Sequence, residues 1–353
     1  MFSSIPTNVT NLRKGNYVTR LLKRMFDYVD YPVIALYRGY GNRRNCIVQG
    51  HVYHAKSKIH ENRRFSLWQN FIAIIQKYLH RPASNIELEI EINGKCFRTT
   101  SQKDGHFVFS IQNHALDVGW HEVSVKLLTP IVDQAGDIQV RNEILIQDSF
   151  PVGIISDIDD TVILSHSVYK LKKFYTLISK DGPGRAAVEG ISKLYQNILR
   201  MHNPIQSPIF YVSSSEWNLY ALILQFMTHN RFPKGILLLK ALKTNLREIF
   251  QSGYGSHDHK IEKITSILEM YPDQEFFLFG DNGQHDASIY AQLVEQNGSQ
   301  IRGVFIRKAH NRKYDEVDRI LRKIAKSEIP SLQFEEVKEV QAFIDKNDLL
   351  KFN

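Results

Sequence analysis

Five short apolar runs, at 152–155, 209–212, 236–239, 276–279 and 304–306, alternate with stretches of helical spacing through the second half of the chain. Runs of that kind have no polar face to offer water, so they predict strands of a parallel, Rossmann-like α/β sheet covered by helices on both faces. The polar residues that follow each run then matter most. In an open sheet of this class, reactive groups gather beyond the carboxyl ends of the strands.

The first half follows a different pattern. Between Tyr31 and Asp148, short alternating runs at 33–37, 46–53, 86–92, 96–99, 106–111, 121–128 and 138–145 are separated by turn formers such as Asn93-Gly94 and Asp104-Gly105. Asn-Gly between alternating apolar runs is a strong hairpin signal, so about seven strands of an antiparallel β-sandwich are predicted. An aromatic insert at 65–79 has helical spacing, as does the segment at 17–29. The resulting organisation is an N-terminal helical segment (1–30), a β-sandwich (31–148), an α/β domain (149–330) and a C-terminal helical tail (331–353).

Lysine and arginine number 45 against 37 acidic residues, a net charge of +8 that suits an anionic partner without choosing one. Cys46 and Cys96 are too few for a disulfide framework, so a reducing, cytoplasmic setting is expected. The first residues lack the apolar core and cleavage site of a secretory signal, and no run reaches about 18 apolar residues. Membrane contact is therefore expected to be peripheral. Lys170, Lys172, Lys173, Lys180 and Arg185, between the first two chemistry-bearing segments, are candidates to meet an anionic bilayer, with an ordinary basic surface as the alternative.

The first apolar run empties into Asp157-Ile-Asp159-Asp160-Thr161, three carboxylates at one strand end. Such density calls for a counter-cation, and a hard ion that prefers carboxylate, carbonyl and water oxygens, Mg2+, is the expected one. The second run empties into Ser213-Ser214-Ser215, whose hydroxyls and amides can donate to phosphate oxygens. The fourth empties into Asp281, with Asp286 shortly after, and Lys260 begins a helix that can reach back to the same strand ends. A lone Asp after a strand is more often a helix cap, and a Ser cluster more often a turn. The ordered set carries the signal.

That set, Asp-x-Asp-x-Thr, then Ser, then Lys, then Gly-Asp, resembles the haloacid dehalogenase superfamily of phosphohydrolases. More narrowly, residues 153–161, 210–220, His259-Lys260 and 279–286 resemble the catalytic domain of the actin-patch phosphatidate phosphatase family. Tyr37-Arg-Gly-Tyr-Gly41 and Gly50-His-Val52 resemble its β-rich amino-terminal region. The sequence departs from the expected pattern at Glu216, where Pro is expected, and at Asn282, where Ser is expected.

The resemblance implies a Mg2+-dependent phosphatase working through an aspartyl-phosphate. Asp157 is then the nucleophile and Asp159 the proton carrier, while Ser213 and Lys260 hold the phosphate. The metal ligands are Asp157, Asp281 and the backbone carbonyl of Asp159, with Asp286 and Thr161 in support. Phosphatidate is the implied substrate. The alternatives are another phospholipid or soluble phosphomonoester, or a non-enzymatic binding protein acting through the β-sandwich. No nucleic-acid partner is expected.

Overall fold

The computed structural model describes residues 28–58, 81–128, 138–162, 187–200, 207–240, 255–283, 285–309 and 314–351. The helical insert at 65–79, most of the segment at 17–29 and the basic residues from Lys170 to Arg185 lie outside them. The chain divides into two compact units between Ile146 and Gln147.

The first unit holds β1 (Tyr28–Leu36), β2 (Gly39–Gly41), β3 (Asn45–Lys58), β4 (Arg81–Pro82), β5 (Glu87–Ile92), β6 (Lys95–Thr100), β7 (His106–Gln112), β8 (Gly119–Leu127) and β9 (Gln139–Ile146). They join in one hydrogen-bonded sheet ordered β1-β3-β2-β9-β8-β5-β6, with β4 and β7 also on β3. Every pairing is antiparallel except that of β2 with β9. In β5, Leu88, Ile90 and Ile92 are buried while the intervening glutamates face outward, the period of two that fixes a strand's register. Asn93 and Gly94 both have positive φ, 49° and 72°, which the β5–β6 hairpin turn requires. Val48, Val52, Phe107, Val125 and Ile144 complete this unit's core.

Two expectations are corrected here. Nine strands are present among the described residues, because β2 and β4 are too short to show a period. The helix at 17–29 cannot run to its expected end, since Tyr28, Val29 and Asp30 already pair with the far arm of the 14-residue β3.

The second unit alternates strand and helix: β10 (Gly153–Asp157), α1 (Ile191–Arg200), β11 (Ile209–Glu216), α2 (Tyr220–His229), β12 (Ile236–Lys240), α3 (Gly255–Met270), β13 (Phe276–Asp281), α4 (Asp286–Asn297), β14 (Ile301–Arg307), α5 (Tyr314–Ala325), β15 (Ser331–Phe334) and α6 (Val337–Lys346). All pairings in its sheet, ordered β12-β11-β10-β13-β14-β15, are parallel. β10 and β13 are wholly buried, which is why their sequences are continuous apolar runs.

The segment at 331–353 is not a helical tail. Ser331–Phe334 forms the sixth strand of this sheet, and Val340 and Ile344 of α6 are buried. Four residues, one of them Gln333, give too short and too polar a run to reveal a strand. Among the described residues no helix is long and apolar enough to cross a membrane.

Candidate active site

From β10 the chain builds outward through β11 and β12, then returns to lay β13, β14 and β15 on β10's other side. The order reverses between β10 and β13, and a crevice forms at the carboxyl ends of strands where that happens. Asp157 closes β10 and Asp281 closes β13, so topology alone brings the two carboxylates to one place.

Lys260, on the second turn of α3, enters the same place. Its Nζ donates to Asp157 Oδ1 at 2.8 Å and also pairs with Asp286 Oδ1. All three side chains are buried. Asp286, the first residue of α4, accepts from the backbone N–H of Asp281 at 3.1 Å through its other oxygen. It therefore ties the lysine to the end of β13. Gly280 makes this approach possible, since a Cβ there would lie 2.6 Å from that of Asp286.

The turn after β10 carries the remaining predicted residues. Asp159 Oδ2 accepts hydrogen bonds from Ser213 Oγ at 3.2 Å and Ser215 Oγ at 3.3 Å, both at the end of β11. Thr161 Oγ1 lies 3.5 Å from Asp157 Oδ2 and braces the turn. Behind the site, Ser156 Oγ donates to the carbonyl of Asp157, which leaves the Tyr195 hydroxyl, 2.8 Å away, to donate to Ser156. Trp217, Tyr220 and Phe226 are buried as core residues.

The electrostatics follow from burial. Removal from water pushes the Asp157 carboxyl well above the ordinary range; Lys260 opposes this, and Asp286, Asp281 and Asp159 add to it. Asp281 is pushed up to about 8, by burial first and Asp286 second, against the Gly283 amide and Lys260. Burial alone would lower Lys260, but Asp157 and Asp286 together raise it, so its ammonium is firmly charged.

One cation thus faces three buried carboxylates, Asp157, Asp281 and Asp286, with one oxygen of each lying within 4.8 Å of the others. Asp281 Oδ2 is buried without a hydrogen-bond partner among the described residues. A buried, negatively charged, all-oxygen donor set with an orphaned oxygen fits a hard divalent cation such as Mg2+. Asp159 does not join this side-chain cluster, because its carboxylate turns to the two serines. Only its backbone is left for the ligand role expected of it.

Sequence reasoning singled out Asp157, Asp159, Thr161, Ser213, Lys260, Asp281 and Asp286, and all of them line this one crevice. It read the hydroxyls of Ser213 and Ser215 as phosphate donors, whereas here both are given to Asp159, and it missed Arg307, whose Nη1 donates to the Asp160 carbonyl at 2.7 Å. The Asn282 side chain accepts from the amide of Ala309 at 2.9 Å and pins the loop after β14.

Residues 152–308 match the family described as phosphatidate phosphatase APP1, catalytic domain. The chain is 24% identical over 279 residues to phosphatidate phosphatase APP1 of Saccharomyces cerevisiae, covering 77% of this chain and 44% of that protein. It is 26% identical over 167 residues to an uncharacterized protein of Schizosaccharomyces pombe, covering 47% of this chain and 26% of that one. The chain thus spans less than half the length of either relative. Among solved structures, a carbohydrate acetylesterase from Xanthomonas citri aligns over 87% of this chain and 69% of its own, at 11% identity and a TM-score of 0.34, too low to bear on fold or function. Residues 152–308 of this chain are therefore similar to the phosphatidate phosphatase APP1 catalytic domain.

Proposed function

We propose that the chain is a Mg2+-dependent phosphatidate phosphatase that works through an aspartyl-phosphate on Asp157. The second unit is read as a haloacid dehalogenase-like domain and the first as a β-sandwich. The observation that carries this reading is the buried meeting of Asp157, Lys260, Asp281 and Asp286 at the strand-order reversal, with Asp159 held beside it.

In this mechanism a carboxylate oxygen of Asp157 attacks phosphorus in line and the bond to the ester oxygen breaks. The departing alkoxide takes its proton from Asp159, leaving diacylglycerol. Asp159, now ionised, takes a proton from water as that water attacks the phosphorus of the aspartyl-phosphate, which releases inorganic phosphate and restores Asp157. The Ser213 and Ser215 hydroxyls orient the Asp159 carboxyl through both steps. Lys260 favours the ionised form of Asp157 against its burial and offers positive charge to the phosphoryl oxygens. Mg2+, held by Asp157, Asp281 and the Asp159 backbone carbonyl, would supply further charge neutralisation at those oxygens. The substrate assignment rests on the family.

Phosphate release from phosphatidate in mixed micelles, with and without Mg2+, tests the reading. The wild-type protein is expected to turn over only with the metal, and Asp157→Asn not at all. Turnover by Asp157→Asn at the wild-type rate would remove the nucleophile assignment. Release from soluble phosphomonoesters but not from phosphatidate would move the substrate class.

A further inference from the structure

Arg307 ends β14 in register with Asp281 of β13, and the mechanism above makes no use of it. Its Nη1 donates to the carbonyl of Asp160. Asp160 has φ of 58°, a left-handed backbone that a residue with a Cβ holds only when its surroundings enforce it. The Arg307 guanidinium also feels the charges of Asp160 and Asp281, and its Nε is buried without a hydrogen-bond partner among the described residues. An aliphatic side chain would fill that space without the cost of burying a charged group. A buried polar group left short of partners calls for another reason to be there.

The strand end that carries Arg307 is itself fixed. The Asn282 amide donates to the Arg307 carbonyl at 3.0 Å, and the Asn282 side chain holds Ala309. A rigid support on β13 and β14 therefore reaches across to a single peptide of the turn after β10. That peptide lies between Asp159 and Thr161.

We propose that Arg307 is a positioning residue: by gripping the Asp160 carbonyl it holds the left-handed turn that sets Asp159 against the β11 serines and Thr161 against Asp157. It touches neither substrate nor reacting atoms. The inference rests on the phosphatase reading for its catalytic consequence, but its structural content can be read separately. Within the same turn the Val162 amide donates to the Ile158 carbonyl at 3.0 Å, and hydrogen exchange at Val162 reports whether the turn is held.

The test compares the 353-residue chain as wild type, Arg307→Met, Arg307→Ala and Arg307→Lys on a soluble phosphomonoester with Mg2+, which removes membrane binding from the readout. Exchange at Val162 and the thermal midpoint are measured on the same preparations. Both the Met and Ala variants are expected to lose about 100-fold in kcat, the scale of an ångström of misplacement, with KM changed less than about threefold. Val162 exchange should quicken in both. Lysine, which keeps a charged donor, should recover about tenfold of the loss.

Unchanged kcat together with unchanged Val162 exchange would overturn the proposal. So would a loss confined to KM, which would place Arg307 on the substrate, or a loss that merely tracks the unfolded fraction. If the wild type released phosphate from no ester, the phosphatase reading would fail while Val162 exchange still decided whether Arg307 holds the turn.

Discussion

Gly280 is the most direct test of how tightly the carboxylate cluster is built. It lies near the end of β13, its φ is outside the left-handed region, and alanine is free to adopt its backbone, so Gly280→Ala acts through space alone. The new Cβ would lie 2.6 Å from Asp286 Cβ and 2.7 Å from Asp286 Oδ2. Ordinary carbon contacts are about 3.5–4.0 Å, so Asp286 must retreat by about 1 Å. Its bond from the Asp281 amide, 3.1 Å long, would then pass out of hydrogen-bonding range. Strain of about 1–3 kcal/mol and one lost buried hydrogen bond of about 1 kcal/mol put the cost to stability near 2–4 kcal/mol.

Because Asp286 also anchors Lys260, kcat should fall by about 100-fold. Urea unfolding measures the first quantity and, on the proposed activity, phosphate release in the presence of Mg2+ the second. The origin of the effect is isolated by repeating Gly280→Ala in an Asp286→Gly background, where every atom that clashes is gone. There the added cost to stability should fall below about 0.5 kcal/mol. An equal cost in both backgrounds, or no cost in the wild type, would refute the claim that glycine is needed for the approach of Asp286.

Lys260→Met leaves Asp157 and Asp286 buried without their cation, and removing one partner of such a pair costs about 3–5 kcal/mol. Unfolding in chelator should show that loss, and phosphate release should fall by at least about 100-fold. A second lysine of α3 gives a pH prediction. Lys263 is brought down to about 7, first by burial and then by Lys240, with Glu262 opposing. Its folded form therefore binds fewer protons than the unfolded chain between about pH 7 and the usual lysine range, so stability rises with pH across that window, by at most about 1.4 kcal/mol per unit. Lys263→Met should flatten the rise, as read from urea midpoints at several pH values. A wild-type profile that falls over the window would contradict the burial argument.

The sequence made the crevice legible because its chemistry sits where apolar runs stop. Asp157, Ser213 and Asp281 each follow a run with no polar face, and a buried parallel strand can place polar residues only at its ends. Lys260 and Asp286 were legible for a related reason: each lies in the opening turns of a helix that packs beside those ends. Whatever depends on one strand's neighbour rather than on its own pattern stayed hidden. Arg307 reads as a basic residue after an apolar run until pairing sets it beside Asp281, and Gly280 reads as part of a motif until α4 is laid against it. Ser215 stands two residues beyond Ser213, on the same face of β11, and that both hydroxyls meet one carboxylate oxygen emerges only when β11 is laid beside β10. The same limit explains β2, β4 and β15, whose few residues form strands because longer neighbours offer them an edge. In this chain, then, the candidate reacting groups are written in local sequence, and the contacts proposed to hold them still are written in the pairing between strands.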